Sequence, residues 1–228
     1  MIITTVGSTG SGKSLSLVKN IMERGYKSFT NFELLGVKNF HRIEYEEVVK
    51  ENVLSTKKDG TAKKTSFDIN FEFWEKETKR KQGFDIYIDE AQMNMSSRSS
   101  MSKENKVWNQ FISQIRKILG TSEKNHIYIT TQRPHAIDVH IRDLTHIWIL
   151  CNKIVIHGVE IKTETDEGVK MLPLCVITRS YFKSLDELEY YSRFQNDNIP
   201  FHQDWFIGNN FYKYYRSHEI IDFRNKYF

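Results

Sequence analysis

Gly7-Ser8-Thr9-Gly10-Ser11-Gly12-Lys13-Ser14, standing directly after the apolar run Ile2-Ile3-Thr4-Thr5-Val6, decides how the rest of the chain is read. The run is short and β-branched and ends at a glycine, the pattern of a buried parallel strand. A helix is expected from Lys13, with Leu15, Leu17, Val18 and Ile21 on its inward face. The octet between them fits G-x-x-x-x-G-K-[ST] at every position, in the strand-to-helix context its mechanism needs. Glycines let backbone N–H groups close around phosphate oxygens, and the helix N-terminus favours the negative charge. Gly7, Ser8, Thr9, Gly10, Ser11, Gly12, Lys13, Ser14 and Leu15 are therefore expected to bind a nucleoside triphosphate, read here as ATP. Lys13 supplies a point charge for the β- and γ-phosphates, and the Ser14 hydroxyl an oxygen for Mg²⁺.

Mg²⁺ favours carboxylate and water oxygens, so the loop needs an acid at the end of a neighbouring strand. Ile86-Tyr87-Ile88-Asp89-Glu90 provides one. Asp89 is expected to hold the metal through its water shell. Glu90, one residue on and pointing elsewhere, is expected to polarise an attacking water as general base. That second acid favours transfer to water over transfer to another substrate. Two alternatives stay open: a small-molecule kinase, which needs a lid with clustered arginines, and a nucleotide-binding partner without catalysis. Cys151-Asn152-Lys153-Ile154 lacks the Asp that would read a guanine edge, which argues against GTP.

With 228 residues the chain is long enough for one well-buried α/β domain and short for two. A net charge of +4 permits a nucleic-acid partner without requiring one. Both cysteines, Cys151 and Cys175, sit among apolar residues and are read as reduced core thiols. No stretch approaches the ~18 apolar residues of a membrane span, and the N-terminus has no signal-peptide pattern. A cytoplasmic protein is expected.

Further along, strands are expected at Ser28 to Phe32, Phe84 to Ile88, His126 to Thr131 and His146 to Cys151, with shorter runs at Ile154 to Ile161 and Met171 to Thr178. Tyr45 to Leu54 reads as a weak helix, Lys57 to Lys64 as an exposed mobile loop, and Phe67 to Gln82 is ambiguous between strand and helix. Val107, Trp108, Phe111, Ile112, Ile115, Ile118 and Leu119 recur at helical spacing, with Gly120 as the stop. This alternation implies a parallel sheet covered on both faces. The expected division is a core of about 1–151 and a β-containing C-terminal extension of about 152–228 within a single domain.

The segment IYITTQRPHAIDVHIRDLTHIWI, Ile127 to Ile149, resembles the T-Q-R-P block of FtsK/HerA-type DNA-pumping ATPases, a superfamily that includes Zot-like proteins and viral genome-packaging ATPases. With YIDEAQ at Tyr87 to Gln92, the likeness spans roughly the first 150 residues. It implies an additional-strand, RecA-like P-loop fold in which the strand ending at Gln132 lies between the P-loop strand and the strand ending at Asp89, so that Gln132 senses the γ-phosphate. It also implies a homo-oligomeric ring in which an arginine of one subunit completes the next subunit's site. Arg142 is the first candidate, with Arg98 and Arg116 next. Asn209 to Phe223 looks like the closing Tyr-rich stretch of packaging ATPases, with Ser217 and His218 interrupting the usual Thr. Double-stranded DNA is the implied partner, contacted mostly through its phosphates, with Lys57, Lys58, Lys63, Lys64, Lys79, Arg80 and Lys81 as candidates to face a pore. Zot-like proteins usually continue into a membrane span. None is seen here, which favours packaging into a capsid, with capsid or portal-like partners, over extrusion through a membrane.

Overall fold

A computed structural model describes residues 1–56, 62–79, 83–93, 95, 103–114, 119 and 124–220. Its centre is an eight-stranded sheet. In chain order the first elements are β1 (Ile2–Val6), α1 (Lys13–Arg24), β2 (Lys27–Thr30), β3 (Phe32–Leu34), β4 (Phe40–Arg42), α2 (Tyr45–Val48), β5 (Val49–Thr56) and β6 (Ala62–Ile69). They are followed by α3 (Phe71–Thr78), β7 (Phe84–Ile88), α4 (Lys103–Ser113), β8 (His126–Thr131) and α5 (Val139–Leu144). The remaining elements are β9 (Ile147–Thr165), β10 (Gly168–Phe182), α6 (Leu185–Phe194), β11 (His202–Ile207), a 3₁₀ turn over Gly208–Tyr214, and β12 (Tyr215–Ile220).

The sheet order is β11-β10-β9-β1-β8-β7-β2-β4. From β9 to β4 all neighbours run parallel, whereas β10 and β11 add antiparallel strands at one edge. β8 lies between β1 and β7, the order the family resemblance implies. Successive residues of the central strands feed opposite cores, because strand side chains alternate in direction. Ile2, Ile86, Ile88, Ile127, Ile129 and Trp148 pack on one face, and Ile3, Tyr87, Tyr128 and Ile149 on the other with Leu17, Val18 and Ile21 of α1. Both faces are therefore buried, which is why these strands read as largely apolar, β-branched runs. The fold is an α/β P-loop NTPase with a β-rich C-terminal extension.

Three expectations change. Tyr45 to Leu54 is a single helical turn that passes at once into β5, which pairs with β6 in a separate antiparallel hairpin. Cross-strand pairing outweighs a weak helical pattern there, and Ala62–Ile69 resolves as strand before α3 begins. Ser28 to Phe32 is two strands broken at Asn31, whose backbone turns toward β7. His146 to Cys151 and Ile154 to Ile161 belong to one continuous 19-residue strand, β9. Its outer half is exposed, so polar residues interrupt the apolar run without ending the strand. Lys57, Lys58, Arg80, Lys81, Arg98, Arg116, Ile115, Ile118 and Gly120 lie outside the described residues, as do the side chains of Lys63, Lys64, Ser217 and His218. Lys79 is exposed just after α3.

No helix among the described residues is long and apolar enough to cross a membrane. Both cysteines are free and buried, as read. Burial pushes the Cys151 thiol up to about 12, which leaves it an inert core group.

Candidate nucleotide and metal site

Gly12 caps α1 in the left-handed conformation, with φ at 91°. A Cβ there would come within 2.3 Å of Ile177 Cδ1 on β10, so both the backbone and the packing call for glycine. Gly7 is equally constrained, since a Cβ on it would meet Ser11 Oγ at 2.3 Å and the Cys151 carbonyl at 2.5 Å. Cys151 Sγ donates to the Ser11 carbonyl at 3.3 Å, fastening the loop to β9. The loop is held tight from outside, and Thr9, Gly10 and the first turn of α1 line a cavity of about 770 Å³. That turn contains no acid, which leaves its dipole free for an anion. The buried Ser11 Oγ has no partner among the described residues.

The parallel register of β1, β8 and β7 brings their C-terminal ends to this cavity. Ser14 Oγ donates to Asp89 Oδ2 at 2.6 Å, joining residues 75 positions apart. Asp89 is 1% exposed and accepts further bonds from Thr130 Oγ1, the Glu90 N–H at 3.2 Å and the Tyr215 hydroxyl at 3.1 Å. Lys13, 3% exposed, donates from Nζ to the Ser8 carbonyl at 3.0 Å and lies 3.9 Å from Glu90 Oε1. Glu90 itself sits at φ 50°, an uncommon conformation for a residue with a side chain. It directs the N–H to Thr130 Oγ1 at 2.9 Å and the carboxylate to Gln92 Nε2 and, at 3.4 Å, Gln132 Nε2. Asp89 and Glu90 thus diverge although adjacent. One faces Ser14, and the other faces Lys13 and Gln132.

This donor set suits Mg²⁺, which binds proteins through one or two carboxylates, a hydroxyl and substrate phosphates instead of an all-protein cage. Ser14 keeps two lone pairs while its proton goes to Asp89. Among the described residues no group of three or more His, Cys, Asp or Glu is gathered for a metal. A Zn²⁺-type site is thus not what the described residues form.

Sequence reasoning passed over three contributors. Asn31, 1% exposed, clasps the Asp89 backbone from both sides: it accepts from the Asp89 N–H at 2.8 Å and donates to the Asp89 carbonyl at 2.9 Å. Nothing local to Asn31 signals this, because its partner lies 58 residues away. Asn31→Ala leaves two buried backbone groups unpaired and is expected to cost about 2 kcal/mol of stability, read as a lowered urea midpoint. Thr130, inside the T-T-Q string, and Tyr215, inside the Tyr-rich tail, stood in segments already singled out. Tyr212, Lys153, Thr165 and Asp166 bring the extension to the cavity wall. Arg142 does not line its own chain's cavity. It sits on α5, where Nη1 and His135 Nδ1 are 2.7 Å apart and His135 Nε2 and Glu189 Oε1 also 2.7 Å.

The family model described as "Zonular occludens toxin (Zot)" matches residues 1–168. Among solved structures, the N-terminal domain of zonular occludens toxin from Neisseria meningitidis is similar at 18% identity, with 90% of this chain and 92% of that chain covered and a TM-score of 0.46. The genome packaging NTPase B204 from Sulfolobus turreted icosahedral virus 2, in complex with ATP-gammaS, is similar at 13% identity over 65% of this chain and 74% of that chain, with a TM-score of 0.40. No curated protein matches. The family match covers the P-loop, the strand leading to Asp89, the T-Q-R-P segment and the whole of β9, and on that ground the chain belongs to the Zot family.

Proposed function

We propose that the chain is a Mg²⁺-dependent ATPase whose hydrolysis drives movement of DNA. The observation that carries this is the 2.6 Å contact of Ser14 Oγ with Asp89 Oδ2, which joins the phosphate loop to an acidic strand end at one cavity. Gly7 to Leu15 bind the triphosphate, and Ser14 with Asp89 hold the cation, which when bound neutralises charge on the phosphates. Lys13 leaves the Ser8 carbonyl for the β- and γ-phosphates. Glu90 takes the proton of a water as its oxygen bonds to the γ-phosphorus. The bond from that phosphorus to the β–γ bridging oxygen breaks, giving ADP and phosphate. Gln132, within reach of Glu90, reports the γ-phosphate.

Zot membership supports phage assembly by DNA extrusion over packaging into a capsid; duplex DNA, a homo-oligomeric ring and action from the cytoplasm are carried over from the resemblance to DNA-pumping ATPases. Within a ring Arg142 is the candidate for a neighbour's site. The kinase reading has less support, because no arginine is among the described residues lining the cavity.

ATPase activity measured with and without duplex DNA over a salt series tests the proposal. Turnover should rise with DNA, and the rise should fade as salt displaces phosphate contacts. Stimulation absent at every salt concentration would remove the DNA motor, and no hydrolysis at all would remove the ATPase. Lys13→Ala should weaken ATP binding about ten- to a hundredfold through loss of charge-assisted bonds.

A further inference from the structure

Asp89 is a carboxylate with no acceptor position left. Thr130 Oγ1 and the Glu90 N–H occupy Oδ1, and Ser14 Oγ and the Tyr215 hydroxyl occupy Oδ2. A carboxylate offers about four lone-pair sites, so protein donors fill them all. Yet a divalent cation, bound directly or through a water, needs one.

The four donors are not equivalent. Ser14, Thr130 and Glu90 are held by α1 and by the ends of β8 and β7. Tyr215 arrives 126 residues later, at the start of β12, a strand whose partner is the three-residue β3. Its bond is 3.1 Å, long for a hydroxyl facing an ionised oxygen, where about 2.5–2.7 Å is usual. Giving up Thr130 would also loosen Glu90, whose N–H donates to the same hydroxyl. Ser14 can serve a cation with its lone pairs without leaving Asp89. Tyr215 is the donor whose departure breaks one long bond at the cavity wall it already lines. Its ring rests edge-on against Phe32, with centroids 5.6 Å apart, and the Leu35 N–H donates to the Tyr214 carbonyl at 3.1 Å. The C-terminal segment thereby delivers the hydroxyl to this place. Burial and the charge of Asp89 push the phenol well above its ordinary range.

We propose that Tyr215 is a positioning residue that fills the cation's place on Asp89 and yields it when Mg²⁺ enters with ATP, so that metal loading is read by the C-terminal strand β12. The inference rests on Ser14 and Asp89 being the metal pair. It sets Tyr215 in competition with the metal, which fixes the sign of the test. Tyr215→Phe keeps the ring on Phe32 and removes only the competing proton.

Mn²⁺ titrated into the full chain with a non-hydrolysable ATP analogue, with free Mn²⁺ followed by electron paramagnetic resonance, provides the measurement. Tyr215→Phe should bind Mn²⁺ about two- to tenfold more tightly than wild type, the worth of one hydrogen bond. Its affinity for the analogue in EDTA should not change. A tyrosine that merely supports the fold would weaken both. Tryptic cleavage after Arg216 should quicken when wild type takes up Mn²⁺ and analogue, and in Tyr215→Phe should be quick without them. Equal or weaker Mn²⁺ binding by Tyr215→Phe, or protection of Arg216 on loading, overturns the proposal. Failure of wild type to bind Mn²⁺ with the analogue is a separate result, and it overturns the metal assignment itself.

Discussion

Glu90→Gln is expected to lower ATP turnover by about 10²- to 10⁴-fold, the usual worth of a positioned general base, while Mg²⁺·ATP remains bound. The amide has the size of the carboxylate but cannot take the proton that a water must lose. Little else should move. The unusual backbone at Glu90, φ 50°, is held by its own N–H bonds to Thr130 and Asp89, which the substitution leaves in place. Asp89, with its four donors, does not contact the Glu90 carboxylate. The 3.9 Å approach of Lys13 to Glu90 loses one charge, which should favour the lysine turning to the phosphates and leave binding intact or tighter. Single-turnover hydrolysis and binding of a fluorescent ATP analogue, measured on one preparation, separate the two effects. A fall in turnover below tenfold would pass the role of base to another group. A parallel loss of binding would mean that Glu90 belongs to the triphosphate cradle.

The parts of the site that could be read in the sequence are those whose chemistry is local. The P-loop must have glycine where φ is positive and where a Cβ would strike Ile177 or Cys151, so Gly7 and Gly12 are written into the motif. Central strands buried on both faces are rich in apolar and β-branched residues, so Ile2–Val6, Phe84–Ile88 and His126–Thr131 stood out and led to the candidate site residues. The contributions that stayed hidden are long-range. Asn31 works by clasping a backbone 58 residues away, and Tyr215 by reaching a carboxylate 126 residues back. Asn31 sits in no pattern, since a single polar residue at a strand break carries no record of its partner, and the Tyr-rich stretch that holds Tyr215 gives no sign of which hydroxyl reaches Asp89. The outer half of β9 was legible as the run Ile154 to Ile161, but its continuity with the buried run before it was not. An exposed two-stranded arm draws its order from cross-strand hydrogen bonds, which polar residues satisfy as well as apolar ones. The family resemblance placed β8 between β1 and β7, an order that periodicity cannot supply.

Loss of the Arg179 guanidinium should be the most destabilising of these changes. Arg179, on β10, is 3% exposed and grips Asp204 of β11 with Nε at 2.7 Å and with Nη2, while Nη1 donates to Asn20 Oδ1 at 2.9 Å and Ser16 Oγ at 3.3 Å on α1. One side chain therefore ties the extension to the helix whose first turn lines the candidate nucleotide cavity. At its far end α1 is fixed by Arg24 Nε donating to the buried Asp85 at 2.6 Å, so Arg179 holds the part of the helix nearer the candidate nucleotide site. Removing one partner of a buried pair costs about 3–5 kcal/mol, and Asp204, 29% exposed, recovers some hydration, which places Arg179→Met near the lower figure. For a chain of this length about 3 kcal/mol corresponds to a fall in Tm of about 6–12 °C. The effect should depend on pH in a definite direction. Burial works against the charged carboxylate of Asp204, but the Arg179 bonds outweigh it and hold the group below the usual carboxylate range. A depressed folded value means that the pair's stabilisation is complete above the ordinary Asp value near 4 and is lost as pH falls through the folded one. Wild type and Arg179→Met should accordingly differ fully in Tm at neutral pH and converge in acid. Changing Asp204 to Asn in the Arg179→Met background should add less loss than Asp204→Asn alone, because the charge it removes no longer faces the guanidinium and keeps only the Tyr181 hydroxyl at 3.1 Å among the described residues. Calorimetric scans from acid to neutral pH measure all three differences. A constant gap between wild type and Arg179→Met across that range would assign the stabilisation to packing against Phe206, whose ring lies 5.4 Å from the guanidinium, and not to the ion pair.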